Sequence, residues 1–133
     1  MINDDFYTIV DRIHGQDTRY REDAYAFVME ALSFTQKKYK RFKHVSGEEM
    51  LEGIKDLLLD KFGPMTLTVL KHWGIRSTED FGNIVFNLVE NKVLSKTDED
   101  KIESFKNAYD FVEVFESGYR KQLAKKIRRM RVM

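Results

Sequence analysis

The fold class expected for this chain is mainly α (α+β): a helical domain with a winged-helix-like centre of three helices plus a small hairpin, then a basic C-terminal helix. Three observations predict it. Apolar residues recur at spacings of three and four along most of the chain. Helix start and stop residues bracket the three segments between Ser46 and Asn91. After Asn91 the helical period breaks into two short stretches separated by a polar run, the pattern of strand, turn and strand.

The first helix is expected from Asn3, a capping residue, with Asp4 and Asp5 suited to the positive end of the dipole. Phe6, Ile9, Val10 and Ile13 make its apolar face, and it should stop near His14-Gly15. A longer second helix from about Arg21 to Lys40 puts Ala24, Phe27, Val28, Ala31, Leu32, Thr35 and Tyr39 on one stripe. Its end is basic, with Lys37, Lys38, Lys40, Arg41 and Lys43. Ser46 and Glu49 form a capping-box pattern opening the third helix, whose buried face is Met50, Leu51, Ile54, Leu57, Leu58 and Phe62.

Gly63 closes that helix and Pro64 stands where it can be the first residue of a fourth, its missing amide costing nothing there. The fourth carries Met65, Leu67, Leu70 and Trp73 and ends at Gly74. Ser77 or Thr78 caps the fifth, Glu79 and Asp80 favour its start, and Phe81, Ile84, Val85, Leu88 and Val89 form its core face. Gly53 and Gly82, inside helical segments, read as points of close helix approach.

Lys92-Val93-Leu94-Ser95 is expected as one strand, Lys96 to Lys101 as a turn, and part of Ile102 to Phe111 as the returning strand. Val112, Phe115, Tyr119, Leu123, Ile127 and Met130 restore the helical spacing, with Gly118 as the weak point. The expected division is one domain over residues 1–116 and a basic helix or tail over 117–133. The expected core includes Phe27, Leu32, Leu51, Ile54, Leu58, Leu70, Trp73, Phe81, Ile84, Val85 and Leu88.

With 133 residues the chain is long enough for one working core, and 42% hydrophobic residues against 34% charged favour folding over disorder. It contains no cysteine, which excludes thiolate catalysis, disulfides and cysteine-ligated metal centres. The acidic start lacks the features of a secretory signal, and no run approaches the roughly 20 apolar residues that span a bilayer. A cytoplasmic protein is the expectation.

Residues 25–111 resemble a family of small uncharacterised bacterial proteins, a conserved domain of unknown function. The resemblance is carried by His44-Val45-Ser46-Gly47, Leu51-Glu52-Gly53-Ile54, Phe62-Gly63-Pro64 and His72-Trp73-Gly74-Ile75. Thr78-Glu79-Asp80-Phe81-Gly82, Ile84 to Val89, Leu94-Ser95-Lys96-Thr97 and Tyr109-Asp110-Phe111 complete it. It implies no reaction, ligand or catalytic residue.

The residues themselves offer little catalytic chemistry. His14, His44 and His72 stand in different segments without metal-ligand spacing, so neither a metal nor another cofactor is expected. Asp98-Glu99-Asp100 lacks the glycine and distal glutamate of a calcium loop, and Ser46-Gly47 and Ser117-Gly118 lie in no nucleophile elbow. The charge pattern is the stronger signal. Arg120, Lys121, Lys125, Lys126, Arg128, Arg129 and Arg131 surround an apolar stripe of Tyr119, Leu123, Ile127 and Met130, with no acidic residue from 119 to 133.

The expected function is therefore a non-catalytic interaction protein, binding a partner protein and, through those seven cations, nucleic acid. One alternative is a dimeric DNA-binding winged-helix transcriptional regulator, with a positive face including Lys71, Arg76 or the wing's Lys96 and Lys101. Against it, the fifth helix would point Glu79, Asp80, Asn83, Asn87 and Glu90 at the phosphates. Another is a small enzyme or ligand binder around His44, His72 and Trp73.

Overall fold

A computed structural model describes residues 4–95 and 102–132, and it is mainly helical. Helices α1 (Asp4–Gln16), α2 (Glu22–Lys38) and α3 (Gly47–Phe62) come first, and α2 lies along α3 as the central pair. A 3-10 turn, Gly63–Met65, leads into α4 (Thr66–Trp73), followed by α5 (Thr78–Glu90) and a second 3-10 turn, Ile102–Phe105. The chain turns helical again at Phe111, widens into a π turn over Glu113–Ser117 and continues as α6 (Gly118–Val132).

Most boundaries follow from identifiable caps. The Ser46 hydroxyl accepts from the Glu49 amide at 3.0 Å while the Glu49 carboxylate accepts from the Ser46 amide at 3.0 Å, closing the capping box. Ser77 and Asp80 repeat the arrangement at the start of α5. Pro64 sits in the 3-10 turn rather than opening α4, and the Thr66 hydroxyl donates to the Gly63 carbonyl at 2.8 Å where the two join. The Asn3 cap lies outside the described residues.

Helices α2, α4 and α5 end alike. At each, one residue has positive φ, and the next amide donates to a carbonyl five residues back: Arg41 to Gln36, Ile75 to Leu70 and Val93 to Leu88, at 2.8 to 2.9 Å. The positive-φ positions are Lys40, Gly74 and Lys92. Gly74 is required there twice over, because a Cβ would also lie 2.2 Å from the Arg19 carbonyl oxygen.

This ending corrects the hairpin. With Lys92 left-handed and the Val93 and Leu94 amides both committed to the Leu88 carbonyl, residues 92–95 form a turn rather than a strand. The returning segment begins as the Ile102–Phe105 turn, and Thr78 holds it down. Its hydroxyl donates to the Phe105 carbonyl at 2.5 Å and accepts from the Ala108 amide at 3.1 Å. No strand occurs among the described residues; Lys96 to Lys101, the expected wing tip, lies outside them.

The core is continuous from α1 to the π turn. Val10, Ile13, Val28, Ile54, Leu58, Leu70, Phe81, Ile84 and Leu88 are buried, with one aromatic cluster of Phe27, Phe62 and Trp73 and another of Phe81, Tyr109, Phe111 and Phe115. Gly53 and Gly82 are points of close approach. A Cβ at 53 would lie 1.8 Å from the Thr35 Oγ1 of α2, and one at 82 would lie 2.9 Å from the Phe105 Cβ. Leu32 and Val85, expected in the core, are only half-buried, and Met65 is exposed.

Candidate functional site

The structure treats the cations of α6 unlike those of the body. Every residue from Arg120 to Arg131 is exposed. At about 100° per residue Leu123, Ile127 and Met130 share an arc roughly 60° wide, and the seven cations occupy the rest of the circumference. These apolar side chains are themselves open to solvent, with Leu123 44%, Ile127 47% and Met130 69% exposed. At the start of α6, Gly118 and Tyr119 are half-buried, and the Tyr119 hydroxyl faces Gly63 of the body.

Seven of the 23 Lys and Arg residues lie within 118–133, where no Asp or Glu occurs. The other sixteen face all 22 acidic residues, so residues 1–117 carry a formal charge of −6 and the remainder +7. The near-neutral total hides this separation. Among the described residues only Arg120 of α6 has a carboxylate partner, Glu116 at 3.4 Å in the preceding turn.

The Lys37–Lys43 cluster does not simply extend that positive surface. Lys38 is paired with Asp56 across the α2–α3 contact, and Arg41 with Glu49 at 2.8 Å. The Arg41 guanidinium, followed by the Ser46 amide, holds the Glu49 carboxyl below its ordinary pKa.

The polar face of α5 is turned inward. Tyr20 donates to Asp80 Oδ1 at 2.5 Å, and Asn83 donates to the Tyr20 hydroxyl at 3.0 Å. One level along the helix, the Asn87 amide donates to the Tyr25 hydroxyl and to Asp17 Oδ2, each at 3.0 Å. The Arg19 guanidinium, 2.8 Å from Asp17, is the largest influence lowering that carboxyl far below the usual carboxylate range. Burial is the first cause raising both tyrosine hydroxyls, with the Asp80 carboxylate adding to the effect at Tyr20. Asp80, Asn83 and Asn87, three of the five residues expected on a groove-reading face, are thus engaged with α2 and the turn before it, while Glu90 stays exposed.

The histidines do not meet in one pocket. His14 Nδ1 donates to the Tyr20 carbonyl at 3.0 Å. His14 borders a cleft of about 270 Å³ with His72, Trp73, Arg19 and Arg21. His44 borders a different cleft of about 360 Å³, where Leu32, Phe42, Val85 and Val89 supply apolar lining. Among the described residues no group of three His, Asp or Glu side chains is placed to hold a metal ion, and no helix is long and apolar enough to cross a membrane.

Sequence reasoning assigned the seven cations as candidate binding residues but missed the second cleft. The available signal was Phe42, an aromatic residue in a basic, turn-forming stretch without helical spacing. Comparison with family models, curated proteins and solved structures gave no match.

Proposed function

We propose that this chain is a non-catalytic interaction protein whose helix α6 docks on a polyanion, with nucleic acid as the first candidate. The charge separation carries the reading: seven cations on an exposed helix, nearly free of carboxylate partners among the described residues, follow a body of net negative charge. A helix carrying lysine and arginine around most of its circumference suits phosphates arranged along a backbone, and displacing their counterions favours association. The acidic body would be held away from the same backbone, so contact concentrates on α6.

The groove-reading regulator receives less support. Asp80, Asn83 and Asn87 have partners inside the molecule, and the described residues supply no strand for a wing. The exposed stripe of Leu123, Ile127 and Met130 favours a second reading, an acidic partner protein with an apolar groove for α6.

The test is binding of a fluorescent duplex and a single-stranded oligonucleotide by the full chain over a salt series. The comparison variant replaces Lys125, Lys126, Arg128 and Arg129 by Gln. Engagement of about four phosphates should cost on the order of 100-fold in affinity between 50 and 200 mM salt, and the variant should lose most of the binding and flatten that slope. Absence of binding by the natural chain at low salt would reject nucleic acid. Pull-down of a partner sensitive to Leu123→Ser with Ile127→Ser would then establish the protein-groove reading.

A further inference from the structure

The larger cleft suggests a binding site separate from α6. Its floor is apolar, contributed by Leu32 of α2, Met50 of α3 and Val85 and Val89 of α5. Leu32 and Val85 follow the helical spacing of core residues and pack against the core, yet each keeps part of its surface open and lines this space. The volume, about 360 Å³, falls within the ~300–1,000 Å³ typical of small-molecule sites.

Phe42 stands at the rim and is 95% exposed, an expensive place for an aromatic ring. Its neighbours hold it there. The Arg41 amide donates to the Gln36 carbonyl at 2.8 Å and its guanidinium pairs with Glu49, while the Gln36 side-chain amide donates to the Lys43 carbonyl at 2.7 Å. The backbone is pinned on both sides of Phe42, and the side chain remains beside the cleft.

The border is electrically asymmetric. Lys43, next to His44 in the chain, and Glu90 of α5 both border the cleft, and neither has an ion-pair partner among the described residues, so the two opposite charges are not joined to each other. We propose that this cleft binds a small amphipathic anion, a medium-chain alkyl carboxylate, with its chain against Leu32, Val85 and Val89 and its head at Lys43 and His44. Glu90 repels the head from its own part of the border and so sets the orientation. Phe42 covers the outer side of the chain. This site does not depend on the role assigned to α6.

Titration of the isotopically labelled full chain with decanoate, followed by amide chemical shifts, tests the assignment, with decylammonium as the opposite-charge probe. Saturable shifts are expected at Val85, Val89 and the 42–46 loop, with decylammonium binding more weakly. Lys43→Glu should weaken decanoate by about tenfold, and Phe42→Ala should weaken both probes. Both substituted residues are exposed, and the spectrum of each variant reports its fold directly. Shifts confined to α6, no saturable shift, or equal decanoate affinity for the natural chain and Lys43→Glu would each overturn the proposal.

Discussion

In the helical body, five cations and several buried polar groups find partners within the molecule, whereas the cations of α6 face outward. Arg19, Lys38, Arg41, Lys55 and Lys61 each meet a carboxylate from the body, and Asn83 and Asn87 satisfy buried tyrosine hydroxyls. Only Arg120 of α6 has such a partner among the described residues, and the apolar stripe of that helix stays open to solvent. The contrast separates two uses of similar residues. Polar groups in the body specify how helices fit together, while those of α6 remain available to another molecule.

The largest expected effect breaks the body at its tightest helix contact. Gly53→Ala places a methyl group within 1.8 Å of Thr35 Oγ1, and Thr35 is fully buried. Stability should fall by about 3 kcal/mol in urea denaturation, outweighing the roughly 1 kcal/mol that alanine normally gains over glycine in a helix. Adding Thr35→Ala should recover part of the loss. An unchanged midpoint would mean that α2 and α3 are not held this closely.

A smaller effect tests the inward polar face. Asn87→Ala removes the donor to the buried Tyr25 hydroxyl and to Asp17, and should cost about 2 kcal/mol. With Tyr25→Phe already present the same substitution should cost distinctly less, because no hydroxyl is left unpartnered; a double-mutant cycle reads the difference. The smallest effect sharpens the contrast from the other side. Leu123→Ser with Ile127→Ser should change thermal stability by no more than about 0.5 kcal/mol, whereas a loss above about 2 kcal/mol would show that α6 packs on the body.

Much of the helical body was legible because its signals are local. Ser46 with Glu49, the single Gly74 and the three- and four-residue spacing of Met50, Leu51, Ile54, Leu57 and Leu58 need no knowledge of the rest of the fold. The hairpin failed for an equally physical reason: the break after Asn91 was visible, but Lys92 adopts a left-handed conformation usually taken by glycine, so the turn that closes α5 read as the start of a strand. Lys40 makes the same left-handed turn after α2, within two residues of where the spacing placed the end of that helix. Tertiary partners were also invisible, since Asn87 is 62 residues from Tyr25 and Thr78 is 27 from Phe105. The basic stretch was plain in the sequence, but the exposure of its apolar stripe and the cleft beside Phe42 depend on how helices meet.

The π turn before α6 has a consequence for alignment. The Gly118 amide reaches back five residues to the Glu113 carbonyl, adding in effect one residue to the turn. One residue corresponds to about 100° of rotation, so the face that buries Phe111 and Phe115 does not continue in phase along α6. The widened turn acts as a phase shifter, allowing one helical run to seat its beginning in the core and present its far end outward. Deleting a single residue there would rotate the cationic surface without altering its composition.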